Sequence, residues 1–108
     1  MAKKKQMIVY NITNKVRWNI LEAWLEWQIA EQIPAVLATG LFDGHRLYRL
    51  LEQDEEEGPT FVIQFFTSSV ERYGRFAEEY APVFQQAGWD KWADGSIAFR
   101  TLMESVSV

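Results

Sequence analysis

The chain's dominant stretch runs from Trp18 to Gly40, WNILEAWLEWQIAEQIPAVLATG, and carries three of the five tryptophans. Projected as a helix at 100° per residue, Trp18, Ile20, Leu21, Trp24, Leu25, Trp27 and Ile29 spread over an arc of roughly 200°. A helix lying on a sheet needs an apolar stripe of only about 100°. The surplus has to be covered by a partner helix, another subunit or a ligand. Pro34 predicts a break or kink, because its ring clashes with the preceding turn and it has no N–H to donate. Gly40 predicts the left-handed residue that closes the helix.

The sheet for this helix is written around it. Gln6 to Asn14 alternates, with Ile8, Tyr10 and Ile12 on one face and Met7, Val9 and Asn11 on the other, and predicts a strand. A second strand falls within Leu41 to Gln53, interrupted early by Asp43-Gly44. After the polar connection Asp54 to Pro59, the run TFVIQFFT (Thr60 to Thr67) is apolar on both faces and predicts a central strand. Ser68 and Glu71 are spaced as a capping box. Behind them Val70, Tyr73, Phe76, Ala77, Tyr80, Phe84 and Ala87 form a second helical stripe about 120° wide, which Pro82 kinks or restarts. Trp89 to Gly95 reads as a connection. Ser96 to Val106 is the fourth strand, with Ile97, Phe99 and Met103 opposed to Ala98, Arg100, Leu102 and Glu104.

Strand, helix, strand, strand, helix, strand, joined by right-handed crossovers, gives an α+β fold: a ferredoxin-like βαββαβ sandwich. Its four-stranded antiparallel sheet carries both helices on one face. Residues 6–108 are expected to form this single domain, and residues 1–5, with Lys3-Lys4-Lys5, a disordered basic tail. The length suffices for a core without metal or disulfide support.

Composition removes whole classes of chemistry. The absence of cysteine excludes thiol nucleophiles, thiolate zinc sites, iron–sulfur clusters and disulfides. The net charge of −4 does not suit a phosphate backbone. The segment from Glu57 to Gln64 keeps Gly58, Phe61 and Val62 of an RNA-recognition signature but lacks its opening basic residue and final aromatic, so no nucleic-acid partner is expected. No phosphate-cradling glycine loop, Gly-x-Ser-x-Gly elbow or paired-histidine helix occurs. Asp54 to Glu57 lacks the spaced ligands of a calcium loop, and Glu22, Glu26 and Glu31 read as a solubilising flank. No cofactor or metal is expected. With no signal-peptide pattern and no apolar run of membrane-spanning length, the reading is cytoplasmic, with no membrane partner.

Two sets of residues remain as candidates. Asn11, Arg46, Tyr48, Gln64 and Arg100 are expected on the sheet face without helices, where an arginine and two amides on an apolar floor suit a small carboxylate or carbonyl ligand. Alternatively they are the polar minority of a homodimer interface across a two-fold axis. Ile20, Trp24 and Trp27 leave the sheet-facing side of the first helix. They are read as a partner surface, or as filling the groove between the helices and meeting Trp89 and Trp92.

The strings MIVYNIT, EAWLEWQIAEQIPAVLATG, RLYRLLEQ, ERYGRFAEEYAP and AFRTLMESV resemble a family of short bacterial proteins catalogued as a domain of unknown function. The likeness covers the chain from about Met7 onward. It implies a ferredoxin-like domain related to the dimeric α/β-barrel proteins and brings no reaction with it. A histidine commonly precedes the Ile-Pro pair in that family; here the position is Gln32. Related barrels use a pocket histidine for haem ligation or proton transfer. His45, the one histidine, is therefore a candidate, although by itself it reads as a half-exposed residue at a strand start.

The leading expectation is a dimeric binding or structural module, pairing through its open sheet face, without an evident catalytic centre. The alternative is a small enzyme of the cofactor-free monooxygenase or isomerase type, holding a substrate among Trp24, Trp27, His45, Tyr48 and Arg100.

Overall fold

The computed structural model describes residues 6–107; the expected basic tail lies outside them. Strand β1 (Ile8–Val16) leads through a single 3₁₀ turn, Trp18–Ile20, into α1 (Leu21–Trp27). A π-helical turn, Gln28–Gln32, joins α1 to α2 (Ile33–Ala38). Strands β2 (Gly44–Arg49) and β3 (Thr60–Thr67), helices α3 (Val70–Glu79) and α4 (Ala81–Trp92), and strand β4 (Ser96–Glu104) complete the chain. The sheet is antiparallel throughout in the order β2-β3-β1-β4. It is the ferredoxin-like α+β arrangement, each helical layer being split in two at its proline. None of the described helices is long and apolar enough to cross a membrane.

Pro34 interrupts the first helix without ending it. The chain widens before it, so that the Ile33 N–H reaches the Gln28 carbonyl five residues back. Pro34 then stands in the first turn of α2, where a missing N–H costs least. Gly40 closes the helix with φ +76°, as its type predicts. In the second layer Pro82 occupies the first turn of α4, directly after α3 ends. The cap of α3 falls one residue later than the Ser68–Glu71 spacing predicts. Ser69 Oγ accepts from the Arg72 N–H at 3.2 Å. The Arg72 guanidinium grips the Asp43 carboxylate at 3.0 Å and the Gly40 carbonyl at 2.7 Å, which ties α3 to the loop after α2. Helix α4 runs on to Trp92, through residues expected to be a connection.

Register decides which side chains face the helices. Tyr10, Ile12 and Asn14 of β1 stand opposite Phe65, Ile63 and Phe61 of β3, and all point to the helical side. On that side an aromatic cluster forms, with Phe42 stacked or edge-on to Tyr10, Phe65 and Phe76. Leu41 and Phe42, in a stretch read as strand, are loop residues of this core.

The alternation of β4 comes out reversed. Ala98, Arg100 and Leu102 lie opposite Asn14, Ile12 and Tyr10, and so face the helices. Ile97, Phe99 and Met103 stand on the open face with Asn11, Thr13, Gln64, Arg46 and Tyr48. The expected grouping of Arg100 with Asn11 and Gln64 is therefore corrected. Nothing forces β4 to be apolar on its inner side, because the helices lean on β1 and β3 and leave space over β4.

Candidate functional site

That space is a cavity of about 360 Å³ between the helical layer and the β1–β4 half of the sheet. Its walls are aromatic: Tyr10 and Phe65 from the sheet, Trp24 and Trp27 from α1, and Phe84 and Trp92 from α4. Native cores contain few voids larger than a water molecule, and ligand cavities begin at about 300 Å³. The volume is that of a site, not of a packing defect.

The tryptophans of the first helix find their place here. Trp24 is 1% exposed and Trp27 9%. Trp24 packs on Phe61 at 5.7 Å between ring centroids, and Trp27 meets Trp92 edge-on at 5.8 Å. Ile20 lies half-buried over Gly95. The reading of Ile20, Trp24 and Trp27 as an exposed partner surface is corrected. Their surplus arc is absorbed inside the subunit, by the end of α4 and by the cavity. Of the tryptophans, Trp18 and Trp89 are the exposed ones.

Polar groups enter the cavity at two ends. At one end, the Tyr10 hydroxyl sits beside the Arg100 and Gln85 side chains. Burial pushes the Tyr10 phenol above its ordinary 10.0, while the positive charge of Arg100 pulls the other way. Gln85 and Arg100 are exposed, so this end is the mouth. At the other end stand two buried amides, Asn14 and Gln28. Asn14 donates to the Ile12 carbonyl at 3.2 Å; Gln28 forms no side-chain hydrogen bond with any described residue. Trp92 Nε1 has no partner among them either, and is sealed from solvent and cavity alike. Between the ends, Gln32 donates to the Phe84 carbonyl at 3.1 Å and laces the π turn to α4.

The open-face candidates form a separate group. Gln64 donates to Asn11 at 3.2 Å, and Asn11 to Thr13 at 3.3 Å. Arg46 and Tyr48 flank them, opposite Gln64 and Val62. His45 points to the helical side, at 6.4 Å from the Phe65 ring, but is exposed and outside the cavity lining. Of the sequence candidates, then, Arg100, Trp24 and Trp27 meet in the cavity, and Asn11, Arg46, Tyr48 and Gln64 meet across the sheet from it.

Tyr10, Asn14, Gln28, Gln85 and Trp92 were not among the candidates. Asn14 continues the apolar Ile8–Tyr10–Ile12 face, and Gln28 stands one helical turn after Trp24. A polar residue on an apolar stripe was their signal. No cluster of three His, Cys, Asp or Glu able to hold a metal occurs among the described residues.

Over residues 7–106 the chain matches the family described as Domain of unknown function (DUF4286). It belongs to that family. No curated protein matches it. Among solved structures, this DUF4286 chain is similar to an ethyl tert-butyl ether D family protein from Bacillus halodurans C-125, at 13% identity and a TM-score of 0.62, covering 94% of this chain and 99% of that one. It is similar to a dimeric ferredoxin-like protein from an uncultured marine organism, at 10% identity and a TM-score of 0.58, covering 97% and 99%. It also matches an aldoxime dehydratase in complex with butyraldoxime, at 19% identity and a TM-score of 0.64, covering 93% of this chain but 27% of that one. At these identities the likeness is one of fold.

Proposed function

We propose that this protein is a homodimeric small-molecule-binding domain: its open sheet face closes on a second copy, and its cavity holds a compact, mostly apolar ligand. The observation that carries the reading is the cavity itself, walled by aromatics and provided with amide, hydroxyl and guanidinium groups. The dimer is supported by the apolar side chains left on the open face, Phe99 at 66% exposure foremost, and by fold relatives that are described as dimeric. A cytoplasmic location accords with the sequence.

Binding is favoured over catalysis by the groups in the cavity. Its titratable lining residues are Tyr10, Asp94 and Arg100. The Tyr10 phenol, raised above its ordinary range, stays protonated at neutral pH and is no general base, no histidine lines the cavity, and Asp94 lies at the exposed rim near Arg17, 3.9 Å away. The enzyme reading, a cofactor-free monooxygenase or isomerase, draws support from the hydroxyl–guanidinium pair at the mouth, which suits a developing oxyanion.

Calorimetric titration with 2-naphthol, a neutral aromatic, tests the cavity. Gly88 lines it, and a Cβ there meets nothing within 4 Å. Gly88→Leu should therefore fill the space while improving helix propensity in α4. The expected result is one saturable site per chain, weakened at least tenfold in a Gly88→Leu variant that melts no lower than wild type. Absence of saturable binding, or equal binding by the variant, overturns the reading.

A further inference from the structure

We infer that the cavity is built for a planar aromatic carboxylate with an oxygen at its far end. The carboxylate would sit on Arg100 at the mouth, and the far oxygen between the amides of Asn14 and Gln28. This rests on the binding reading above and makes it chemical.

The first argument is charge. Arg17, Arg49, Arg72 and Arg75 each pair with a carboxylate. Arg46, on the open sheet face, and Arg100 form no ion pair with any described residue, although the chain carries 15 acidic side chains against 11 basic ones. Of the two, Arg100 stands at the rim of an aromatic cavity, beside a neutral phenol and a neutral amide. A guanidinium offers a planar fork of donors, and its natural complement is a carboxylate. Against an apolar wall that pairing is less screened than in open water.

The second argument is length. The cavity runs along β1 and β4 under α4. Asn14 pairs with Ala98 and Ile12 with Arg100, so the inner amide lies two strand residues, about 7 Å, along the sheet from Arg100 and one strand over. The two polar ends are thus separated by the length of one substituted aromatic ring and a short arm. The walls between them are flat: Trp24, Trp27 and Trp92 with Phe65 and Phe84. Offset or edge-on contacts with such faces favour a planar guest.

The third argument is the hydrogen-bonding left over at the inner end. An amide both donates and accepts. Asn14 and Gln28 bring two such groups to the cavity lining, and the Gln28 side chain makes no hydrogen bond with a described residue. A hydroxyl arriving with the ligand accepts from an amide N–H and donates to an amide oxygen.

Three probes separate these claims: trans-4-hydroxycinnamate, its methyl ester and trans-cinnamate, titrated into the full chain by calorimetry with 2-naphthol as the neutral reference. The hydroxy acid should bind one per chain, at least about tenfold tighter than the ester. Arg100→Gln, an exposed position where folding is not at stake, should erase the acid–ester difference, read as the ratio of the two affinities within the same variant. Gln28→Leu should weaken the hydroxy acid and leave cinnamate no weaker. If 2-naphthol binds while acid and ester bind alike, or Arg100→Gln preserves their difference, the carboxylate assignment is wrong and the cavity reading survives. If cinnamate and its hydroxy form bind equally, or Gln28→Leu weakens both alike, the far-oxygen assignment fails. If no aromatic binds, both readings fall together.

Discussion

Thr67 shows how a single side chain carries a cost the fold tolerates. It stands on the helical face of β3 at 1% exposure, and its hydroxyl has no hydrogen-bond partner among the described residues. An unmade bond on a buried polar atom costs about 1–3 kcal/mol. Thr67→Val, which keeps the branched shape and removes the hydroxyl, should raise stability by about 1 kcal/mol in urea denaturation, with unchanged slope. Tyr10, buried at 5% exposure, makes the complementary prediction in pH. Burial raises its phenol above the 10.0 of an exposed tyrosine. Below that value both folded and unfolded states hold the proton, and the contribution is complete. Above it the unfolded chain ionises first, so stability falls as pH rises toward the folded value, by at most about 1.4 kcal/mol per pH unit. Tyr10→Phe should flatten the decline between pH 10 and 11 relative to wild type, measured by urea denaturation at each pH. An identical slope in both proteins would mean that the phenol is wetter than the fold implies.

Among the elements, the junction of β1 with the turn before β3 is the tightest. The Val16 N–H donates to the Pro59 carbonyl at 3.0 Å, and a Cβ at Gly58 would overlap the Val16 carbonyl oxygen. Backbone cannot swing aside as a flexible side chain can, so Gly58→Ala should cost at least about 2 kcal/mol, the scale of overpacking in a fixed site. Gly74→Ala, in α3 with nothing within 4 Å of the added carbon, should instead stabilise by about 1 kcal/mol; melting temperatures of the two variants check the contrast. These elements also show what the sequence reveals and where it stops. Element order, both prolines and the left-handed Gly40 were legible because each rests on local geometry. The inward face of β4 was not, because its alternation is amphipathic either way: Ile97, Phe99 and Met103 look like core until pairing with β1 turns them outward. The Ser68–Glu71 spacing points to a cap that Ser69 takes, and the same turn is held by the Arg72–Asp43 contact, an interaction 29 residues distant that local spacing does not carry. The cavity itself was invisible for the same reason. A surplus of apolar arc on the first helix signals a need for cover, and does not say whether protein or ligand provides it.

At the scale of the whole molecule the two faces of the sheet have been given different tasks, and this separation is testable. The inner face holds the cavity, while the outer face exposes Tyr48, Ile97, Phe99 and Met103 around the bonded pair Asn11–Gln64. An isologous two-fold contact uses the same patch on both subunits, so one substitution there acts twice. Phe99→Glu places two carboxylates in an otherwise apolar contact, each removed from water without a partner, and the edge position of β4 leaves the monomer able to fold around it. Sedimentation velocity across micromolar concentrations should show a dimer for wild type and a monomer for Phe99→Glu, a loss in affinity of at least about a hundredfold. Each subunit carries a net charge of −4, so added salt, by screening that repulsion, should tighten the wild-type dimer and not loosen it. Gly88→Leu, which fills the cavity on the other side, should leave dimerisation untouched, and Phe99→Glu should leave 2-naphthol binding within about twofold if the cavity is complete in one subunit. Loss of both properties in either variant would show that the faces are coupled, and that a second copy of the chain helps to shape the site.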